Sequence, residues 1–214
     1  MSVKIKICGI TSLADALMAA EAGADALGFI FVEDTPRYVT PARAASIVAA
    51  LSPFVVSVGV FWDHGLDHVR AVADECRLGA VQFHGSEGPD MVAAAPRPVL
   101  KTVKVTRRED LTLLDQYQPA AFLLDSPARW SEGELRAPIS WELARLAAPR
   151  GRIVLAAGLT PDNVAEAVRI ARPYGVDVNS GVEQSPGRKD PDKVRRFIEA
   201  ARSAVERGPE ARGG

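Results

Sequence analysis

The sequence predicts a single-domain (β/α)8 barrel, and three observations predict it. Short, apolar, β-branched runs alternate with amphipathic helical stretches eight times along nearly all of the 214 residues. That length suits one domain, and eight strand–helix units in about 200 residues is the compact form of this barrel. The first strand also runs into CGITS rather than GxGxxG, the phosphate turn expected of the rival doubly wound open sheet.

The elements follow in order. Strand one is read at 3–9 (VKIKICG), and the helix after it at 12–23 starts on Thr11 or Ser12 as N-cap. Strand two spans 24–32 (ADALGFIFV), and the helix over 40–51 opens with Thr40 before Pro41, a cap followed by the proline that suits a first turn. Strand three lies at 54–61 with a helix at 65–77, and strand four at 78–85 with a short helix within 87–96 that ends in proline. Strand five is read at 97–105, followed by a helix over 108–117, and strand six at 119–126, followed by a helix over 140–147. Strand seven occupies 151–159, and Thr160 before Pro161 marks the next helix, read as 160–171. Strand eight is read at 175–183, and a last amphipathic helix over 190–206 completes a domain of residues 1–206. Residues 207–214, with GPEARGG at their end, are expected to be a flexible tail.

Composition narrows the function. With 47% hydrophobic and 25% charged residues and a formal net charge of -1, the chain has the makings of a large core. It has no surplus of positive charge to track a nucleic-acid backbone. No apolar run reaches the roughly 18 to 20 residues that span a bilayer, so no membrane partner is expected. The start, MSVKIKICGI, lacks the layout of a secretory signal, which predicts a cytoplasmic protein. Cys8 and Cys76 are the two cysteines, and neither belongs to a CxxC pair or a ligand cluster. No metal site is expected. His64 and His68 lie four apart beside Asp63 and Asp67, but Gly65 and the lack of a third ligand favour a solvated helix start. A barrel of this kind is a monomer or a homodimer.

Strand parity locates the candidate chemistry. Alternate residues of a strand face opposite sides, so Val3, Ile5 and Ile7 meet the outer helices while Lys4, Lys6 and Cys8 face the barrel interior. Cys8 stands at the strand end, where active sites of this fold are built. Gly9 beside it lets a ligand approach the backbone, and Lys6 is expected to favour the thiolate. The same parity groups Gln82 with His84, Leu123 with Asp125, and Asp177 with Asn179. Strands one and six stand three positions apart around the ring, so Cys8 as base and Asp125 as acid face one another across a substrate. Gly158 after strand seven and Ser180 and Gly181 after strand eight sit where barrels of this class bind phosphate. Arg37, after strand two, offers a forked guanidinium to a carboxylate. Trp62, Trp130 and Trp141 read as packing or loop aromatics, with Trp130 close enough to Asp125 to belong to an active-site loop.

Together the pieces KICGIT, GFIF with TPRYV, VGVF, VQFHGSE, LLDS, LAAGLTPDNV and DVNSGVEQSPGRKD, spread over residues 6–190, resemble the phosphoribosylanthranilate isomerases of tryptophan biosynthesis. The resemblance implies an Amadori rearrangement of N-(5-phosphoribosyl)anthranilate to 1-(2-carboxyphenylamino)-1-deoxyribulose 5-phosphate, with no cofactor. It implies that Asp125 protonates the furanose ring oxygen and that Cys8 removes the C2 proton. It also implies that Arg37 holds the anthranilate carboxylate and that Gly158, Ser180 and Gly181 hold the phosphate, with Lys6, Gln82, His84 and Asp177 as further substrate contacts. Two departures stand out. PARWSEGELRAPISWE follows LLDS where the family has a glycine-rich turn, Trp141 filling an aromatic position, and Ala157 replaces a glycine, tolerable if its φ is negative. The alternatives are a related barrel acting on another phosphorylated sugar and a non-catalytic phosphosugar-binding module.

Overall fold

The eight predicted strands pair in chain order, and the eighth closes on the first. In a computed structural model that describes residues 2–126 and 139–206, the strands are β1 (Lys4–Ile7), β2 (Ala26–Ile30), β3 (Val56–Phe61), β4 (Ala80–Phe83), β5 (Val99–Lys104), β6 (Ala121–Asp125), β7 (Ile153–Leu155) and β8 (Gly175–Val178). All neighbours are parallel, and the closing register sets Lys6 beside Asp177 and Ile7 beside Val178. The helices are α1 (Leu13–Glu21), α2 (Pro41–Ala49), α3 (Leu66–Glu75), α4 (Pro89–Ala93), α5 (Trp141–Ala147), α6 (Val164–Ala171) and α7 (Pro191–Glu206). After β8 the chain adds a small antiparallel hairpin, β9 (Glu183–Ser185) and β10 (Arg188–Lys189). Among the described residues no helix is long and apolar enough to cross a membrane.

Two apolar layers follow from the strand period. Ile5, Ile7, Phe29, Phe61, Phe83, Phe122 and Val176 point outward into the main core under the helices. Helix α7 meets that core with Val194, Phe197, Ile198 and Ala201, a stripe at helical spacing, and each fully buried large side chain contributes about 1.5–3 kcal/mol. Inside the barrel the filling is smaller. Ala121, Leu123, Val154 and Ala156 form one patch, and Cys8, Ile30 and Val60 form another.

Two local expectations need correction. Residues Arg108–Gln116 form a 3-10 helix rather than an α-helix. Asp110 turns back to accept from the amides of Thr106 and Arg107 at 2.8 and 3.0 Å, and Leu111 and Leu114, three apart, are both buried while Leu113 is exposed. A period of three keeps those leucines on one line. The sixth helix begins at Val164, not at Thr160. Asn163 accepts from the Thr160 amide and donates to the Gly158 carbonyl, each at 2.8 Å, so the TPDN segment makes a turn that braces the β7 loop before the helix starts. Ser12 and Thr40 do cap α1 and α2, accepting from the amides of Asp15 and Arg43.

Candidate active site

Base-side residues come from β1, β2 and β8. Cys8 follows β1 and donates its amide to the Val178 carbonyl at 2.8 Å, which fixes the sulfur on the inner face at the C-terminal rim. Opposite it, Gly28 leaves the room the sulfur occupies, since a Cβ there would lie 2.7 Å from Sγ. Gly9 turns the chain at φ +72, and it is the Asn179 side chain that uses the space above it. Beneath the sulfur, Lys6 Nζ donates to Asp177 Oδ1 at 2.8 Å, with both groups buried.

Lys6 favours the thiolate as expected, but burial acts against it and is the larger effect. Burial pushes the Cys8 thiol up, and Lys6 and Lys189, which pull the other way, do not outweigh it, while the Asp177 carboxylate adds to the rise. The neutral thiol is therefore the resting form. Burial works to lower the Lys6 pKa, but the Asp177 carboxylate that Lys6 Nζ bonds holds it above the ordinary lysine value.

On the opposite wall Asp125 ends β6, its Oδ1 accepting from the Ser126 amide at 2.8 Å. Its Oδ2 lies 3.4 Å from His84 Nε2. The other ring nitrogen, Nδ1, stands 3.2 Å from Thr102 Oγ1 and 3.2 Å from the Gln82 amide nitrogen. With the amide oriented so, Nδ1 is the acceptor and a proton is assigned to Nε2, facing Asp125. The wall extends through Trp62, whose ring lies 5.2 Å from that of His84, to Lys104, whose ammonium stands 4.8 Å over the Trp62 ring. A cleft of about 390 Å³ lined by Trp62, His84, Thr102, Lys104 and Tyr117 opens beside them.

The β7 and β8 loops meet at the same rim. Gly181 packs on the Leu159 carbonyl so closely that any side chain there would strike the backbone. Ser180 and Gly181 open a 3-10 turn, Ser180–Val182, against Leu159. Ala157 does not meet the condition set for it, because its φ is +63, a left-handed conformation that costs an L-residue about 1–2 kcal/mol.

Arg37 is buried and already paired with a carboxylate of the chain. Its Nε donates to Glu183 at 3.0 and 3.2 Å and its Nη2 at 2.7 Å, so that face of the guanidinium fork is occupied and the Nη1 edge is what it offers a ligand. Although burial works to raise it, Arg37 and Lys189 hold the Glu183 carboxyl below the usual range. Neither Glu183 nor Lys189 was marked by sequence reasoning. They sit in the polar run SGVEQSPGRKD, where charge reads as solvated surface. Lys104 was also passed over, although its parity with Thr102 points it inward.

The structure thus brings Lys6, Cys8 and Asp177 together on one wall and Gln82, His84 and Asp125 on the other. The β7 and β8 loops meet through Leu159 and Gly181. His64 and His68 stack on each other at 4.8 Å, and among the described residues no three ligating side chains gather for a metal. Trp130 and the rest of the segment 127–138 lie outside the described residues. Trp141 starts α5 and packs partly buried on the outer core, with its indole nitrogen buried and unpaired among the described residues.

Comparison with known proteins gives a consistent result. Residues 5–200 match the family model for N-(5'-phosphoribosyl)anthranilate (PRA) isomerase. An N-(5'-phosphoribosyl)anthranilate isomerase of Geobacter sp. (strain M21) is 53% identical over 199 residues, covering 93% of this chain and 98% of its own. The crystal structure of phosphoribosyl anthranilate isomerase from Thermotoga maritima superposes with a TM-score of 0.87 at 39% identity, covering 94% and 99% of the two chains. A second structure, with a TM-score of 0.84 at 38% identity over 94% and 99%, holds reduced 1-(o-carboxyphenylamino)-1-deoxyribulose 5-phosphate.

Proposed function

The chain belongs to the N-(5'-phosphoribosyl)anthranilate isomerase family, and from that premise we propose that Cys8 and Asp125 are the base and acid of its reaction. The enzyme isomerises N-(5-phosphoribosyl)anthranilate to 1-(2-carboxyphenylamino)-1-deoxyribulose 5-phosphate, a step of tryptophan biosynthesis. The observation that carries the assignment is the placement of both groups on inner-face strand ends of one rim, three strands apart, above differently charged surroundings.

Asp125 in its acid form donates a proton to the furanose ring oxygen. The C1–O bond breaks as the nitrogen lone pair forms C1=N. Cys8 as thiolate then takes the C2 proton, and the released electron pair forms C1=C2 while the C1=N electrons return to nitrogen. The resulting enol tautomerises to the C2 ketone, and the two side chains reset by proton exchange with solvent. His84, donating through Nε2, stabilises the Asp125 carboxylate left after the first transfer. Backbone amides at Gly158, Ser180 and Gly181 hold the phosphate. The Nη1 edge of Arg37 meets the substrate carboxylate, and Lys6, Gln82, His84 and Asp177 line the floor under the sugar.

A direct assay with N-(5-phosphoribosyl)anthranilate tests this reading. Wild type turns the substrate over, whereas Cys8→Ala and Asp125→Asn each lose at least about 10²-fold in kcat while keeping the wild-type circular dichroism spectrum. Wild-type kcat in either variant removes that residue from its role. Tight binding without turnover by wild type would leave only a phosphosugar-binding module.

A further inference from the structure

A buried ammonium lies behind the site with no task in the reaction scheme. Lys189 ends β10, and its side chain has 0% exposure. An ammonium taken out of water costs several kcal/mol unless it is paired and fully hydrogen-bonded. Here its Nζ donates to Asn179 Oδ1 at 2.9 Å, to the Asn179 carbonyl at 3.3 Å and to Glu183 Oε1 at 3.0 Å, which matches an ammonium's three donors.

The two acceptors lead to different parts of the site. Glu183 grips Arg37 with both oxygens. Asn179 packs on the turn that follows Cys8, and a Cβ at Gly9 would lie 2.5 Å from Asn179 Oδ1 and 3.1 Å from Arg37 Cδ. The rest of the hairpin is anchored to the same loops. Thr11 Oγ1 donates to the Gly187 carbonyl at 2.6 Å, the Gly187 amide donates to Glu183, and the Lys189 amide donates to Asp15 at 3.2 Å. Lys189 thus lies at the junction of the β1, β2 and β8 loops.

We propose that Lys189 is a positioning residue for the isomerisation: through Asn179 and Glu183 its ammonium sets the spacing between the Cys8–Gly9 turn and the Arg37 guanidinium. That spacing holds C2 of the substrate over the sulfur while the aromatic carboxylate meets Arg37. The proposal rests on the roles given above to Cys8 and Arg37. A misplacement of about 1 Å at such a contact costs on the order of 10²-fold.

The test is a double-mutant cycle on kcat/KM, with wild-type turnover measured first as an independent check of the isomerase reading. Lys189→Met is expected to lose about 10²-fold, while inorganic phosphate, which engages the β7 and β8 loops, keeps its inhibition constant within about twofold. Arg37→Ala added to Lys189→Met is expected to cost less than about tenfold more, because both changes disable one unit. If Lys189→Met does not fold, as circular dichroism would show, Glu183→Gln replaces it in the same cycle with the same expected coupling. The proposal is overturned by a folded Lys189→Met with kcat/KM within about twofold of wild type. It is equally overturned by losses that multiply independently, or by an equal weakening of phosphate binding.

Discussion

On the β8–β1–β2 wall, Cys8 stands above the buried Lys6–Asp177 pair and beside Arg37, Glu183 and Lys189. On the β4–β6 wall, Asp125 meets His84, which leans on Thr102 and Gln82. The two walls hold the two proton-transfer groups by different means. The base wall is built of full charges in a low dielectric, Lys6 paired with Asp177 and Glu183 shared by Arg37 and Lys189, where loss of one partner strands another. The acid wall is built of hydrogen bonds between polar groups, and Thr102 and the Gln82 amide both reach His84 Nδ1, so loss of one leaves the other. Rigidity is bought at the base wall with sensitivity, and the acid wall is the more forgiving support.

That contrast breaks most readily at Lys6. Lys6→Met leaves the Asp177 carboxylate buried and unpaired, and urea unfolding should show a loss of about 3–5 kcal/mol. A loss below about 1 kcal/mol would mean that the base wall is no stiffer than its neighbour.

The next test is pH. Burial raises the Cys8 thiol above its ordinary 9.0, so the thiolate fraction grows about tenfold per pH unit below that raised value. The ascending limb of kcat/KM should accordingly continue past pH 9, and a plateau beginning below pH 8 would show a thiolate already present in the free enzyme. The linked stability has the matching sign. A buried neutral thiol with a raised pKa contributes stability that is fully present below its unfolded value and is lost as pH rises through the folded one.

Smaller effects sharpen the comparison. Thr102→Val removes one of two partners of His84 Nδ1 and should cost only about 1 kcal/mol in the same unfolding experiment. A cost equal to that of Lys6→Met would erase the distinction between the walls. On the rim between them, Ala157→Gly relieves a left-handed alanine. The relief of about 1–2 kcal/mol is partly offset by the greater freedom of glycine in the unfolded chain, leaving a gain of about 0.5–1 kcal/mol. Destabilisation instead would show that the alanine methyl packs well enough to repay its backbone.

Most of the barrel was readable because its signals are local. The strand period put Ile5 and Ile7 outside and Lys6 and Cys8 inside, and the same period located Gln82, His84, Asp125 and Asp177. What escaped depends on side-chain closures and distant partners that composition and period do not show. The segment 108–117 has a helical composition, but Asp110 closes on Thr106 and Arg107 and tightens it to a 3-10 helix. Glu183 and Lys189 look like surface charge until Arg37, 146 residues before Glu183, arrives to bury them. The net shift at Cys8 was not readable for a related reason: the neighbouring lysine, which does favour the thiolate, is visible in sequence, whereas the depth of burial that outweighs it is not.

The hairpin that carries Lys189 has a consequence for the order in which the enzyme becomes competent. Thr11 bonds Gly187 across 176 positions, and Lys6 pairs with Asp177 across 171. During synthesis, the first strand with its thiol leaves the ribosome long before the residues that pair its charges and brace its turn. A nascent chain can stack seven strands and still have no working base. Closure of the ring and completion of the catalytic environment are one late event, so the appearance of turnover during translation or refolding times the last seam rather than the collapse that precedes it.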